Sequence, residues 1–549
     1  MNKVKVYASL IIITCLGLIL RLYHNLDISL WHDEAFSALL IKYSWGEMFY
    51  RIGLDVHPPV YYVALRLWSY GFGDSLLALR GFSVFFGVLT ALAGYAFVKV
   101  AFKSEKAALI AALLISLSPF QIQYATEARM YTFGAFLSLL AAYFLVKSLG
   151  ETKNKRQVIC YILFGLVSGL AVLTHYYLLF TVAALCFYAL CYHIYSYRLE
   201  FKKYSLLITS YLLLLAVFAP WFKWFLFQFK QVGAGYWIPP LDRWSIPTTL
   251  WQMLLGIGID ITERNTQVLV ILATIFTLYF IVQFVRETDS AHKWLILLAL
   301  VAPFAGSILF AILAHLKGES SSVYLVRYFL YTSPFYTIAL AIWLTNLRRQ
   351  SVLYVLLVLY VLSNFGAFWH YWKDLDVATK PGMNGVVHYL QENMRAGDQL
   401  VAGTSFEFFN LKYYLTQTPP PKSAPQAPFA MSSKQFSLQD LSNDASSASE
   451  EPANASAGWP KPLLFTGGNT EVSNMPHFAG TAILTNADLL PRFETGAKPG
   501  ELLWLVSTNG FGSSKPPVPH NFEQLEEKGF AEVRPYVGTW ITVTKYLVH

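Results

Sequence analysis

The acidic side chains that could take part in proton transfer are concentrated in residues 30–62, which follow the first apolar segment. Asp33 and Glu34 are adjacent there, and Asp55 and His57 come later in the same stretch. Charged groups so close to a hydrocarbon boundary are costly unless they have a function. A carboxylate can act as a general base when partial burial raises its pKa and a nearby arginine adjusts it. We therefore interpret Asp33 as the candidate base of a site at the outer face of a membrane.

The same acids have a simpler alternative role at helix ends. Asp33 and Glu34 precede residues 35–41, and acids are favoured in the first turn of a helix. Asp55 could complete a two-acid site with Asp33, and a divalent metal is possible between them, although the ligand spacing is not specific for a metal. His57 is either a local hydrogen-bonding group or a substrate contact.

Arginines next to apolar segments provide the opposite charge. Arg129 lies just before one segment, where a guanidinium can hold a phosphate bidentately. Arg327 lies a few residues into another segment, where a charge requires an anion. For Arg129 the alternatives are an internal pair with Glu127 or extension of the side chain to the interface. His175, at the end of a further segment, is either an interface anchor or a substrate contact.

The composition indicates which elements must position these groups. Of 549 residues, 55% are hydrophobic and 13% are charged, and the mean hydropathy is +0.43. Soluble globular proteins carry about 25% charged residues, so we interpret the chain as a polytopic membrane protein. The net charge is +8, although residues 373–549 carry 13 basic and 17 acidic residues. The basic excess therefore falls between apolar segments, as in cytoplasmic loops and not as in a nucleic-acid surface.

Eleven apolar segments are predicted to cross the bilayer, which takes about 20 residues. They are residues 6–20, 75–101, 107–120, 130–146, 158–173, 176–195, 204–221, 266–285, 294–314, 324–344 and 352–369. The first is interpreted as an uncleaved span, because no small-residue cleavage site follows it. Basic loops alternate with the loops that hold the candidate residues, which the positive-inside rule places outside the cytoplasm.

Two outer loops are predicted to surround the site. In the first, residues 23–74, the segment 57–70 has Pro58 and Pro59 directly after His57, and such a pair can begin a helix. The segment is too short to cross and is predicted to form an interfacial helix. The second, residues 231–261, is rich in Gly, Pro and Trp and is predicted to be a mobile lid. Its tryptophans either anchor it at the interface or stack on a sugar ring.

Residues 373–549 are predicted to form a small C-terminal α/β domain, separate from the membrane domain 1–372. Strands are predicted at 399–402, 463–466, 502–506, 531–537 and 540–546, and helices at 381–393, 406–415 and 521–528. Residues 418–460 are rich in Pro, Ser and Ala and indicate a flexible insertion. An odd number of spans predicts that this domain is extracytoplasmic, on the same side as the acids.

The sequence also limits the kind of donor. It has no glycine-rich phosphate loop followed by Lys-Ser/Thr, which argues against chemistry driven by ATP. A donor outside the cytoplasm is better carried in the lipid phase as a polyprenyl phosphate, which the arginines near the membrane plane are placed to bind. The alternatives are a transporter or flippase of lipid-linked sugars, for which we find no convincing internal repeat, and a non-catalytic assembly factor.

Six motifs together resemble those of the GT-C fold membrane glycosyltransferases, especially the branch of protein O-mannosyltransferases and the lipid A aminoarabinose transferase. They are WHDEAFS (31–37), DVHPPVYY (55–62), ALRGFSVFFGVLTAL (78–92), SPFQIQYATEARMY (118–131), THYYLLF (174–180) and RYFLYTSPFY (327–336). Each motif is weak alone, but together they are specific for the superfamily and not for a substrate.

The resemblance implies a polyprenyl-phosphate sugar donor and inverting transfer to an acceptor (protein, lipid or polysaccharide) at the outer face of the membrane. We expect this membrane to be a bacterial cell membrane. The candidate residues are Asp33, Glu34 and Asp55 as catalytic groups, with Asp33 as the base; Arg129 and Arg327 as ligands of the donor phosphate; and His57, Glu127, Tyr131 and His175 as substrate contacts. No residue is assigned to a metal.

Overall fold

The computed structural model describes residues 2–150, 155–197, 204–233, 238–256, 260–318, 322–375, 379–395, 397–421, 459–475, 481–495, 498–509, 516–531 and 540–549. The helices are α1 (Lys3–Leu22), α2 (His32–Leu40), α3 (Trp45–Leu54), α4 (Val60–Phe72), α5 (Leu76–Phe102), α6 (Glu105–Leu117), α7 (Pro119–Ala125), α8 (Tyr131–Gly150), α9 (Lys155–Val172), α10 (Leu178–Tyr197), α11 (Ser205–Phe218), α12 (Phe222–Gly233), α13 (Ser245–Leu255), α14 (Arg264–Glu287), α15 (Lys293–Leu316), α16 (Ser333–Asn346), α17 (Gln350–Leu375), α18 (Gly382–Asn393) and α19 (Ser405–Gln417). The strands are β1 (Gln399–Ala402), β2 (Leu463–Phe465), β3 (Leu489–Leu490), β4 (Leu502–Thr508), β5 (Phe522–Ala531) and β6 (Trp540–Val548).

Long apolar helices dominate the chain up to residue 375. Within the described residues, nine helices are long and apolar enough to cross a membrane, and the bent pair α6 and α7, at 53°, is a tenth candidate. The predicted span 324–344 is instead divided into a 3-10 helix, Val326–Tyr331, and α16. With 14 residues, most of them buried, α16 is too short to cross alone. The predicted fold class, a polytopic helical membrane protein with a small C-terminal α/β region, is confirmed.

The chain divides into two compact units. The first unit contains Met1–Tyr23, Val56–Tyr61 and Arg80–Tyr371, and the second contains His24–Asp55, Tyr62–Leu79 and Trp372–His549. Most of the first loop therefore clusters with the C-terminal region, whereas the sequence groups it with the membrane domain. The reason is that α2 and α3 bury apolar faces that contact the C-terminal helices and turns.

Polar and glycine contacts fix the helices of the first unit. α9 packs on α11 at Gly165, where an added Cβ would clash with the backbone of Ser210. The 3-10 helix is held against α8, because Ser138 Oγ donates to the carbonyl of Tyr331 at 2.8 Å. Just beyond it, Thr332 Oγ1 donates to a carbonyl of α15 at 2.6 Å. These bonds position the segment that carries Arg327.

The second outer loop includes a docked helix. α13 lies within the predicted lid and ends at Gly256, which has a φ of +74° and packs against the backbone of α7. Thr249, in α13, shares a hydrogen bond of 2.6 Å with Tyr324. Residues 234–237 and 257–259 of the predicted lid lie outside the described residues, so the mobility of this loop stays a prediction.

The second unit contains a six-stranded sheet with the order β3-β2-β1-β4-β6-β5. β3, β2, β1 and β4 are parallel, whereas β6 is antiparallel to β4, and β5 is antiparallel to β6 at the edge. The predicted strands at β1, β2, β4 and β6 and the predicted helices at α18 and α19 are confirmed. The predicted helix 521–528 is wrong, because pairing with β6 outweighs the helix-favouring Glu, Gln, Leu and Lys of β5. Residues 422–458 of the predicted insertion and 532–537 of one predicted strand lie outside the described residues.

Candidate active site

Arg129 lies in a tight turn between α7 and α8. Its N–H donates to the carbonyl of Glu127 at 2.8 Å, and Ser83 Oγ donates to the carbonyl of Arg129 at 3.3 Å. The arginine is only 2% exposed, whereas Glu127 is half-buried. The turn thus places a buried guanidinium just before the first residue of α8.

His175 lies in the short connection between α9 and α10. Its Nδ1 accepts a hydrogen bond of 3.2 Å from the N–H of Tyr177, which orients the ring. The carbonyl of Leu173 accepts the N–H of Val60 at 2.9 Å and holds the segment that contains His57. The ring centroids of His57 and His175 are consequently 5.8 Å apart.

Arg327 comes from the 3-10 helix, and two tyrosines of that helix flank His175. The ring centroids of Tyr328 and Tyr331 lie 4.5 and 5.2 Å from the imidazole. Arg327 Nη1 lies 3.5 Å from the hydroxyl of Tyr131, to which it donates. The 3-10 helix therefore contacts both the short segment between α9 and α10 and the first residue of α8.

Five of the predicted site residues thus lie together, and we call them the cationic cluster: His57, Arg129, Tyr131, His175 and Arg327. Arg129 Nη2 is 3.4 Å from His57 Nε2. Burial lowers the pKa of His175 well below its ordinary value, and the charges of His57, Arg129 and Arg327 lower it further. His175 is therefore neutral near pH 7. The arginines of the cluster suit a phosphate, which guanidinium groups bind bidentately.

The residues that support His57 were not identifiable as site residues from the sequence. Gln228 Nε2, in α12, donates to the carbonyl of His57 at 3.2 Å. Tyr176 donates its hydroxyl proton to Gln228 Oε1, and Trp221 Nε1 donates to the Tyr176 hydroxyl at 2.9 Å. The available signal is a single amide within the aromatic run FKWFLFQFK (222–230). Tyr328 is also missed, since aromatic residues are common throughout the chain.

The candidate acids Asp33, Glu34 and Asp55 belong to the second unit. Asp33 is half-buried in the first turn of α2, and its carbonyl accepts a hydrogen bond of 2.9 Å from Ser37 Oγ. Glu34 is buried, and its carboxylate accepts the N–H of Trp31 at 3.4 Å, as a helix cap does. Asp55 is buried at the C-terminal end of α3. The catalytic roles of these acids stay predictions.

In the part of the chain that the structure describes, no group of three or more His, Cys, Asp or Glu residues is arranged to hold a metal ion.

Residues 56–224 match the family model described as dolichyl-phosphate-mannose-protein mannosyltransferase. The matched range includes His57, Arg129, Tyr131 and His175 of the cationic cluster. A search of the curated proteins gives no significant match.

Among solved structures, the chain is similar to ArnT from Cupriavidus metallidurans bound to undecaprenyl phosphate, with 11% identity, 97% of each chain covered and a TM-score of 0.54. The protein O-mannosyltransferase complex Pmt1-Pmt2 of S. cerevisiae, bound to the sugar donor, shows 19% identity over 42% of this chain and 34% of that chain, with a TM-score of 0.34. The oligosaccharyltransferase AglB from Archaeoglobus fulgidus shows 14% identity over 75% of this chain and 63% of that chain, with a TM-score of 0.39. This chain therefore spans about a third of the Pmt chain and less than two thirds of AglB.

The similarity to ArnT extends over nearly the whole of both chains and shows a common fold. Together with the match at residues 56–224, it confirms the resemblance that the sequence motifs indicate. The protein is thus a polytopic membrane protein with the fold of the GT-C glycosyltransferases.

Proposed function

We propose that the protein is an integral-membrane glycosyltransferase that moves a sugar from a polyprenyl-phosphate donor to an acceptor at the extracytoplasmic face. The observation that carries this proposal is the cationic cluster, in which two arginines and two histidines lie close together. ArnT, which shares the fold, is bound to undecaprenyl phosphate. A lipid phosphate of that kind is the anion that the cluster would recognise.

In this mechanism Asp33 takes the proton of the acceptor hydroxyl. The acceptor oxygen attacks the anomeric carbon from the face opposite the phosphate. The bond between that carbon and the phosphate oxygen breaks, and its electron pair leaves with the polyprenyl phosphate, so that the configuration inverts. The transition state has oxocarbenium character, which carboxylates stabilise, and we assign this role to Glu34 and Asp55.

The cationic cluster acts on the leaving group. Arg129 and Arg327 stabilise the charge that develops on the departing phosphate. Because phosphate is already a good leaving group, a strong general acid is not required. His175, held neutral, donates or accepts hydrogen bonds without adding charge, and His57, Tyr131 and Glu127 complete the contacts with the donor.

We further propose that the site and the C-terminal region, residues 373–549, are extracytoplasmic in a bacterial cell membrane. Support comes from the basic residues, which are concentrated in the alternate set of loops. The predicted odd number of spans does not support this placement, because the described residues contain nine or ten candidate spans instead of eleven.

A direct test incubates the purified protein with a panel of polyprenyl-phosphate sugars and with protein, lipid and polysaccharide acceptors. The proposal predicts acceptor-dependent release of free polyprenyl phosphate, which the Asp33→Asn variant does not produce. A flippase would instead move the intact lipid-linked sugar between the leaflets of a proteoliposome. That result, without cleavage of the glycosyl bond, would replace the proposed function.

A further inference from the structure

The start of α2, which carries Asp33, is packed on α19 of the C-terminal region. His32, directly before Asp33, is buried, and its ring centroid lies 4.7 Å from that of Phe406 and 5.3 Å from that of Phe409. The two phenylalanines are three residues apart on one helix and share a face. The first turn of α2 is therefore held by one face of α19.

Hydrogen bonds also hold the backbone that leads into α2. The N–H of Leu30 donates to the hydroxyl of Tyr414 at 2.8 Å. Ser29 Oγ donates to the carbonyl of Pro381 at 3.1 Å. Tyr414 belongs to α19, and Pro381 directly precedes α18. Successive residues before Asp33 are thus fixed by α19 and by the residue that precedes α18.

The end of α3, which carries Asp55, is held in a similar way. Arg51 Nη1 donates to the carbonyl of Ala482 at 2.8 Å, and the Arg51 carbonyl accepts the N–H of Asp55 at 3.2 Å. The hydroxyl of Tyr43, in the turn between α2 and α3, donates to the carbonyl of Ile483 at 3.3 Å. Both acidic positions of the loop therefore depend on contacts with the C-terminal region.

α19 itself is firmly attached to the sheet. It follows β1, a central strand that pairs with β2 and β4. At its first turn the N–H of Thr404 donates to Glu407 Oε2 at 3.1 Å, and Glu407 is fully buried. A capping box of this kind fixes the direction in which a helix starts. α19 thus provides a rigid surface for α2.

We propose that α19 positions the catalytic base: Phe406, Phe409 and Tyr414 set the direction of the Asp33 carboxylate through the start of α2. The inference rests on the proposed function, in which Asp33 takes the acceptor proton. α2 has nine residues, and a helix this short is not stable by itself in water. Its direction is therefore determined by what it packs against, and catalytic groups must be held within about 0.5 Å of the productive geometry.

The test uses the full-length protein with Tyr414→Phe, which removes the hydroxyl that accepts the Leu30 N–H and keeps the aromatic ring. Tyr546→Phe is the matched control, because Tyr546 is a buried tyrosine of the sheet core in the same unit. We expect Tyr414→Phe to lower kcat about fivefold and Phe409→Leu to lower it about tenfold or more. The Kd for the polyprenyl-phosphate donor should stay at the control value in both variants, whereas the melting temperature should fall by a few degrees, because a buried hydrogen bond or part of a buried ring is lost. Hydrogen exchange of the amides of residues 30–40 should become faster.

The outcomes separate this inference from the function on which it rests. If Tyr414→Phe and Phe409→Leu both keep the kcat of the Tyr546→Phe control, while Asp33→Asn is inactive, the positioning role is refuted and the proposed function stands. If the wild-type protein transfers no sugar, or Asp33→Asn is fully active, the proposed function itself fails. A variant with lower kcat but equally weakened donor binding and a lower melting temperature contradicts positioning, because a general loss of structure then explains the rate.

Discussion

Replacing Arg129 gives a quantitative test of the cationic cluster. The side chain is 2% exposed and lies 3.4 Å from His57, so a phosphate bound there is met by a largely desolvated guanidinium. A hydrogen bond to a charged group contributes about 1.5–3 kcal/mol, and a bidentate contact supplies two such bonds. We expect Arg129→Gln to lose about 3 kcal/mol of transition-state stabilisation, which is a fall of about 100-fold in kcat/KM. Arg129→Lys keeps the charge but not the bidentate geometry, and should lose about tenfold.

The assay measures release of polyprenyl phosphate at saturating acceptor over a range of donor concentrations. Because the guanidinium contacts the phosphate before and during the reaction, both KM for the donor and kcat should change. Arg243→Gln is the control, since Arg243 is exposed beside Trp244 in the second outer loop and should stay within about twofold of wild type. An Arg129→Gln protein that melts like wild type and keeps kcat/KM within threefold would show that the cluster does not bind the donor phosphate.

Three further results are expected. Burial raises the pKa of Glu407 to about 7. The folded protein therefore binds more protons than the unfolded chain between pH 4.5 and 7, and it loses about 3 kcal/mol of stability as the pH rises through that range. Glu407→Gln should therefore raise the melting temperature at pH 8 but not at pH 4.5, and an equal effect at both would contradict burial of the charge. Gly256→Ala should lower the melting temperature, because Gly256 has a φ of +74° and an added Cβ would clash with α7. The control Gly71→Ala should not lower it, because an added Cβ on that residue of α4 would meet open space. The lowered pKa of His175 predicts that His175→Asn changes the rate but not the shape of the pH–rate profile between pH 6 and 8. If a rise or fall of the rate with pH in this range disappears in the variant, the imidazole titrates there.

The helical part of the fold follows from the sequence because a bilayer requires about 20 apolar residues in a row, and such runs are visible directly. α16 could not be recognised in this way. Its apolar residues are continuous with those of the 3-10 helix, and apolar content does not distinguish a buried short helix from a span. Likewise β5 contains residues typical of an exposed helix, and only its pairing with β6 makes it a strand.

The site was predictable where an ionisable side chain stands at an apolar boundary, since such a group has to be explained. Arg129, His175 and Arg327 are of this kind, and the structure brings all three together. Gln228 and Tyr328 could not be selected, because they act through neighbours that are distant in the sequence. The attachment of α2 to α19 is also not visible in the sequence, because His32 and Phe406 are separated by most of the chain.

The proposed mechanism makes Asp33 the base of a transfer reaction whose leaving group is a lipid phosphate. The decisive comparison is single-turnover sugar transfer by wild type and Asp33→Asn, with donor binding measured on the same preparations. We expect the asparagine variant to bind the polyprenyl-phosphate sugar with the wild-type Kd and to transfer it at least about 1,000-fold more slowly. Transfer at the wild-type rate by a folded, donor-bound Asp33→Asn protein would show that Asp33 is not the base.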